Sequence, residues 1–187
     1  EANLSRFYAI MTYLIVLMAR LHGFRFPFPT FVTLEDPLPI ATWAVESVRK
    51  EGKCVIRISV SKAVRISLSA QQHGLDLSGV VFHGAGEPPT STKVETILAS
   101  GAQYISRYAF SEAGSVGIAC GNPKSIDDVH FMSNHMALIQ RPVTVFDQTV
   151  NALCLTTLFP YAPKTLINVQ SDDFGDVEER DCGCLLH

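Results

Sequence analysis

Residues Cys54 to Phe110 read CVIRISVSKAVRISLSAQQHGLDLSGVVFHGAGEPPTSTKVETILASGAQYISRYAF, and this stretch decides the fold. Cys54 to Val60 is a β-branched run and predicts a strand. Ser61 to Gly74 follows with helical spacing, Ser61 being the candidate N-cap. Leu77 to His83 (LSGVVFH) is a short apolar run that ends in glycines, as a buried strand entering a loop would. Thr90 to Ala99 reads as a helix ended by Gly101, and Ala102 to Tyr108 as a third short strand. Strands alternating with helices of this length predict a parallel sheet with flanking helices. In such sheets ligands bind beyond the carboxyl ends of the strands. Two loops occupy that place, GAGEPPT after the second strand and AFSEAG after the third.

Working outward, Leu4 to His22 predicts a helix that Gly23 ends, because Pro27 and Pro29 cannot continue it. Its apolar run, Phe7 to Ala19, is bounded by Arg6 and Arg20. It is shorter than the roughly 20 residues a membrane span needs, and the following LHGFRFPFP lacks a small-residue cleavage site. A helix buried between two layers is expected. Ile40 to Glu51 predicts a second helix, with Gly52 as its terminator. Downstream, Met136 to Arg141, Thr144 to Phe146, Asn151 to Leu158, Leu166 to Val169 and Asp176 to Arg180 are short strand candidates separated by turn residues. The expected architecture is α/β: a mostly parallel sheet with flanking helices over residues 1–130, then a smaller antiparallel β subdomain over 131–187.

Composition bounds the function. The chain has 187 residues, 47% hydrophobic and 18% charged, with a net charge of −3, so it can bury a core of its own. With an acidic balance there is no basic excess to neutralise a phosphate backbone, which argues against a nucleic-acid polymer as partner. The five cysteines are an odd number in a chain of this size. That does not suit a secreted disulfide framework, so a reducing cytoplasmic setting is expected, with no membrane partner.

Tyr108 to Glu112 read YAFSE, an aromatic, a hydroxyl and a carboxylate within five residues. Tyr108 can cover a base face, Ser111 can bond a phosphate oxygen, and Glu112 can reach Mg²⁺. A buried turn is the alternative for such a short string. Three ordered segments narrow the choice: FHGAGEPPT (Phe82 to Thr90), RYAFSEAG (Arg107 to Gly114) and NVQSDDFGDVEERDCGC (Asn168 to Cys184). Together they resemble the adenylate-forming superfamily, in the branch around phenylacetate–CoA ligase. The resemblance covers Gly79 to Cys184, more than half the chain.

The resemblance implies roles. Gly84, Ala85, Gly86 and Glu87 would wall the adenine, Tyr108 and Ala109 would lie against the base, and Asp173 would accept hydrogen bonds from the ribose hydroxyls. Ser111 would contact the α-phosphate and Glu112 would help hold Mg²⁺; these two are the catalytic candidates. His83, Ala109 and Phe110 are candidates for the acyl wall. The implied activity is ATP-dependent joining of a carboxylic acid to AMP, then transfer to a thiol such as CoA. A homodimer is left open. The departures are Ala109 where the family has glycine, and Ser171-Asp172 where it has Thr-Gly. A Ser/Thr/Gly-rich phosphate loop is absent upstream of Gly84, and so is the lysine-bearing lid after the hinge near His187. The chain therefore reads as a fragment or a degenerate relative, and adenylation by this chain alone is not expected. The alternative is a zinc-stabilised, non-catalytic nucleotide-binding or interaction module.

Cys182-Gly183-Cys184 forms a Cys-x-Cys pair, and Cys120 and His130 lie upstream. Three thiolates and one imidazole suit a closed, structural tetrahedral zinc site, a pattern that some members of the same branch resemble. Free thiols and a disulfide are the alternatives, and His135 is an alternative to His130. Cys54 and Cys154 sit in apolar strands and read as core. Asp127-Asp128 reads as a solvated turn.

Overall fold

The computed structural model describes residues 2–33 and 35–185, with side chains from Arg6 onward. Two compact units are present, residues 1–36 and 37–187. The first holds helix α1, Ala2–Leu21, which ends at Gly23 with φ +89°. The proline-punctuated segment after it folds back along the helix. Tyr13 Oη donates to the Pro29 carbonyl at 2.9 Å, Arg20 Nη1 donates to the Phe26 carbonyl at 2.8 Å, and the Arg20 guanidinium lies 5.1 Å from the Phe28 ring centre. The expectation of a buried helix is corrected. Phe7, Ile10, Leu14 and Ile15 are all exposed, Ile15 to 64%; the run is apolar around its whole circumference, and the returning segment has aromatic rings enough for one side only. Among the described residues no helix is long and apolar enough to cross a membrane.

The second unit begins with α2 (Leu38–Glu51), capped by Gly52 in the left-handed conformation at φ +83°. Then come β1 (Cys54–Ile58), α3 (Val60–Gln72), β2 (Val80–Gly84), α4 (Ser91–Leu98) and β3 (Gln103–Phe110). Strands β1, β2 and β3 pair in parallel and in chain order, as the alternation of strand and helix predicts. Two further strands, β4 (Gly114–Ala119) and β5 (Val129–Phe131), extend the sheet antiparallel. A separate antiparallel sheet holds β6 (Met136–Val145), β7 (Gln148–Thr157) and β8 (Val169–Phe174). The expected class, a mostly parallel sheet with flanking helices followed by a smaller antiparallel one, is the observed one.

Helices α2, α3 and α4 pack side by side and cover one face of β1–β3. The core lies between them: Ala41 and Ala44 of α2, Ala63, Ile66 and Ala70 of α3, Ile97 of α4, and Val80 and Phe82 of β2. Small residues on the helices let them approach the sheet, while the strands supply the bulk. Gly84 belongs to this packing. A Cβ there would lie 2.4 Å from Cε2 of Tyr104, so only glycine fits. The opposite face of the same strands carries Val55 and Ile105, exposed to 56% and 38%, although parallel sheets are ordinarily covered on both faces.

Local differences from expectation have physical causes. The N-cap of α3 is Ser59, one position before the helix proper, and Ser61 sits inside the first turn. Met136–Val145 is one strand rather than two, because Pro142 lies on the edge strand β6, where a missing N–H is tolerated. Phe146 and Asp147 form the two-residue hairpin turn, both at positive φ (+47° and +62°), the geometry of a type I′ turn. Residues 176–180 are not a strand; Glu178 and Arg180 make polar contacts instead.

Candidate functional site

Two groups of sequence-predicted residues come together. The first joins β3 to β8. Tyr108 Oη donates to Asp173 Oδ2 at 2.8 Å, across 65 residues of sequence. Tyr108 lies beside a β-bulge at Tyr108/Ala109, a device that re-aims side chains at sheet edges. Its ring is 5.9 Å from that of Phe110. Burial, the hydrogen bond to Asp173 and the charge of that carboxylate all push the Tyr108 phenol up, so it remains a donor at neutral pH. Phe110 itself packs into the small cluster of Ala113, Val116, Met136 and Leu155.

Ser111, Glu112 and Ala113 form the turn from β3 to β4. Ser111 is exposed. The Glu112 side chain is 45% exposed, with Lys164 Nζ 3.8 Å from its carboxylate, and the Lys164 amide donates to the Glu112 carbonyl. Glu112 thus offers one carboxylate, as magnesium on a nucleotide commonly uses, but with a competing cation beside it.

The glycine loop serves the protein as well as any ligand. Ala85 N–H donates to the Ile58 carbonyl at 3.3 Å, and Gly86 is exposed at φ +84°. Glu87 accepts from the Ser61 amide (2.7 Å), the Ser61 hydroxyl (2.6 Å) and Lys93 Nζ (2.8 Å). It therefore caps the first turn of α3, the place Ser61 was expected to fill. Those bonds, Lys93 first, hold the Glu87 carboxyl down at about 2. The Glu87 set and the Tyr108–Asp173 pair share no hydrogen bond among the described residues. His83, on β2, lies on the helix-free face in register with Arg57. Burial and then the charges of Arg107 and Arg57 depress its basicity.

The second group is the sulfur–nitrogen cluster. Cys120 directly follows β4, His130 is on β5, and Cys182 and Cys184 come from the tail. Their ligand atoms all lie within 4.8 Å of one another. His130 Nε2 is 3.0 Å from Cys184 Sγ and 3.5 Å from Cys182 Sγ, and the latter two sulfurs are 3.2 Å apart. A tetrahedral zinc with Zn–S near 2.3 Å sets its sulfurs roughly 3.8 Å apart, wider than the Cys182–Cys184 pair; three thiols and an imidazole gathered within 4.8 Å are nonetheless the donor set such an ion takes. The Asn122 amide donates to Cys120 Sγ and the Cys184 amide to Cys182 Sγ, as backbone donors do around metal thiolates. Gly121 is required beside them: a Cβ would lie 2.9 Å from that of Cys184. His135 is elsewhere, its ring stacked on Phe159 at 4.8 Å.

The sequence did not single out the supporting residues. Asp128 is no solvated turn residue. It accepts from Arg180 at 2.6 Å and from the Lys124 amide at 2.9 Å. Lys93 and Lys164 were also missed; an i, i+6 Glu–Lys spacing carries no helical signal.

No protein-family model matches the sequence, and no curated protein does. Solved structures do align with this chain. One is a 2-hydroxyisobutyryl-CoA ligase in an open conformation in complex with 2-HIB-AMP and CoA; the TM-score is 0.60 at 14% identity, over 80% of this chain and 36% of that one. Another is a luciferase-like enzyme from the nonluminescent mealworm Zophobas morio, with a TM-score of 0.44 at 12% identity, over 72% of this chain and 33% of that one. This chain spans about a third of the length of either protein. Its α/β architecture is that of part of the 2-hydroxyisobutyryl-CoA ligase.

Proposed function

We propose that this chain is part of an ATP-dependent, acyl-activating ligase of the adenylate-forming type, with residues 1–130 as its α/β portion and 131–187 as a small β portion. The observation that carries the reading is the 2.8 Å bond from Tyr108 to Asp173. The motif resemblance assigns these two residues to one nucleotide, and they meet although they come from different sheets. In the proposed reaction the carboxylate of an acid attacks the α-phosphate of ATP. The acid–AMP mixed anhydride forms as pyrophosphate leaves, and a thiol such as CoA then displaces AMP. Tyr108 and Ala109 would lie against the base, beside the loop of Gly84, Ala85, Gly86 and Glu87. Asp173 would hold the ribose hydroxyls, Ser111 would bond the α-phosphate, and Glu112 would join a Mg²⁺ carried by the nucleotide. His83 and Phe110 remain the acyl-wall candidates. Cys120, His130, Cys182 and Cys184 would hold a structural zinc, which supplies a cross-link between the end of the first sheet and the tail.

A second reading, a zinc-stabilised nucleotide-binding or interaction module without catalysis, is favoured by one feature. Two of the acidic residues near the proposed nucleotide already have basic neighbours, Glu87 with Lys93 and Glu112 with Lys164. Thermal denaturation with and without millimolar AMP or ATP tests the first reading. A competent pocket raises the melting temperature by mass action, and Asp173→Ala removes the rise. Unchanged melting with stoichiometric zinc present favours the second.

A further inference from the structure

Among the described residues, Arg180 is the one guanidinium that touches every chain segment bearing a sulfur or imidazole of the cluster. From its own position two residues before Cys182, its Nη2 reaches Asp128 Oδ2 at 2.6 Å, the Asn122 carbonyl at 3.4 Å and Cys120 Sγ at 3.5 Å. Asp128 lies two residues before His130, and Asn122 two after Cys120. Asn122 closes the circuit, its Nδ2 donating to the Cys182 carbonyl at 3.1 Å. The Arg180 side chain is only 19% exposed, so these contacts are little diluted by solvent. Nε faces Glu178, which in turn pairs with Lys124.

Electrostatics give this contact a purpose. Three thiolates and a neutral imidazole around a dication leave one net negative charge on the centre. Cys120 Sγ receives two N–H donors, the Asn122 amide and Arg180, and the second carries a full positive charge. Hydrogen bonds with one ionised partner are about twice as strong as neutral ones. Asp128, bonded to the same Nη2 at 2.6 Å, aims the guanidinium at the sulfur.

We propose that Arg180 is a positioning residue for the metal centre: it holds the Cys120, His130 and Cys182/Cys184 segments around the ion and offsets the negative charge of the loaded site. The proposal rests on the reading of this cluster as a metal site. A lysine in its place keeps the charge but not the planar fork that spans several acceptors.

The test is metal binding by the whole chain. Cobalt(II) reports thiolate ligation through its sulfur-to-metal charge-transfer absorption, and competition with a chromophoric chelator gives the zinc affinity. Arg180→Gln is expected to weaken zinc by about 10–100-fold, the usual cost of losing an outer-shell partner. Arg180→Lys falls between, and Arg49→Gln, an exposed charge on α2, changes nothing. The melting temperature of the metal-stripped protein serves as the structural control. The proposal expects Arg180→Gln to move it much less than it moves the zinc-loaded value. Thiolate–cobalt absorption in the parent with unchanged zinc affinity in Arg180→Gln overturns the role of Arg180 alone. Equal destabilisation of stripped and loaded forms, with affinity unchanged, does the same. Absence of that absorption in the parent overturns the metal centre and the Arg180 proposal together.

Discussion

The two halves of the second unit are held together by different physics. Around β1–β3, twelve buried residues from three helices, strands β1 and β2, and the loop positions Leu77 and Ala102 make one continuous apolar core. Around β4–β8, the buried cluster among the described residues is Ala113, Val116, Met136 and Leu155, with five half-buried neighbours, besides Ala152, Leu153 and Cys154 buried along β7. What the second region lacks in apolar burial it replaces with long-range polar ties: Tyr108 to Asp173, Asn122 to Cys182, Arg180 to Asp128, and the four metal-ligand candidates. The lesson is that the region bearing the proposed chemistry is the one whose shape depends on specific side chains rather than on bulk hydrophobicity. That is the usual location of low local stability and of ligand sites.

Removing metal should break the comparison most. Stripping zinc with a chelator is expected to destabilise the β4–β8 region by more than about 5 kcal/mol, since structural zinc in small domains is worth about 10 kcal/mol or more. Hydrogen exchange should then rise across β4, β5 and the tail while β1 and β2 keep their protection. Equal loss in both regions would show that the halves are not separately stabilised. The reciprocal change is Phe82→Ala in the first core, where a fully buried side chain is lost. A cost of about 3–5 kcal/mol is expected, measured by denaturant unfolding, with the cobalt spectrum of the folded protein unchanged.

Glu87→Gln sharpens the boundary. The Glu87 carboxyl is held at about 2 in the folded chain against an ordinary value near 4.5. Its contribution is therefore fully present above pH ~4.5 and fades as pH falls toward ~2. The variant should lose about 1–2 kcal/mol at neutral pH and show a shallower decline in stability between those limits. Unfolding curves as a function of pH would show it, and parallel curves for variant and parent would refute the assignment. The smallest expected effect is a gain. Phe146 and Asp147 occupy a type I′ turn that favours Asn-Gly. Phe146→Asn with Asp147→Gly should add about 0.5–1 kcal/mol, confined to the hairpin of β6 and β7.

Much of the first half was legible because its signals are periodic. β-branched runs marked β1 and β2, and helical spacing with a terminal glycine marked α2. The second half was less so. β4, GSVGIA, was not read as a strand because its glycines resemble loop punctuation, although Val116 and Ile118 alternate correctly. Gly117 is there because a Cβ would lie 2.6 Å from Val129, a contact no local pattern announces. Pro142 split β6 in the sequence because edge position is not a sequence property. The cysteine cluster could be anticipated because few residue types serve it and a Cys-x-Cys pair is conspicuous. Arg180, Asp128 and Asn122 could not, since polar residues in loops carry no signal until the fold brings them together. Glu87 illustrates the limit of motif reading: the residue was singled out for a ligand, and its carboxylate is bonded to Ser61 and Lys93.

The most direct measurement is calorimetric titration of AMP into the zinc-loaded chain, with Tyr108→Phe and Asp173→Asn as companions. The account predicts saturable binding to one site, weakened at least tenfold by Asp173→Asn and less by Tyr108→Phe, which keeps the ring but loses its bond to Asp173. Heats indistinguishable from dilution at millimolar AMP, in a protein shown to be folded and metal-loaded, would contradict it.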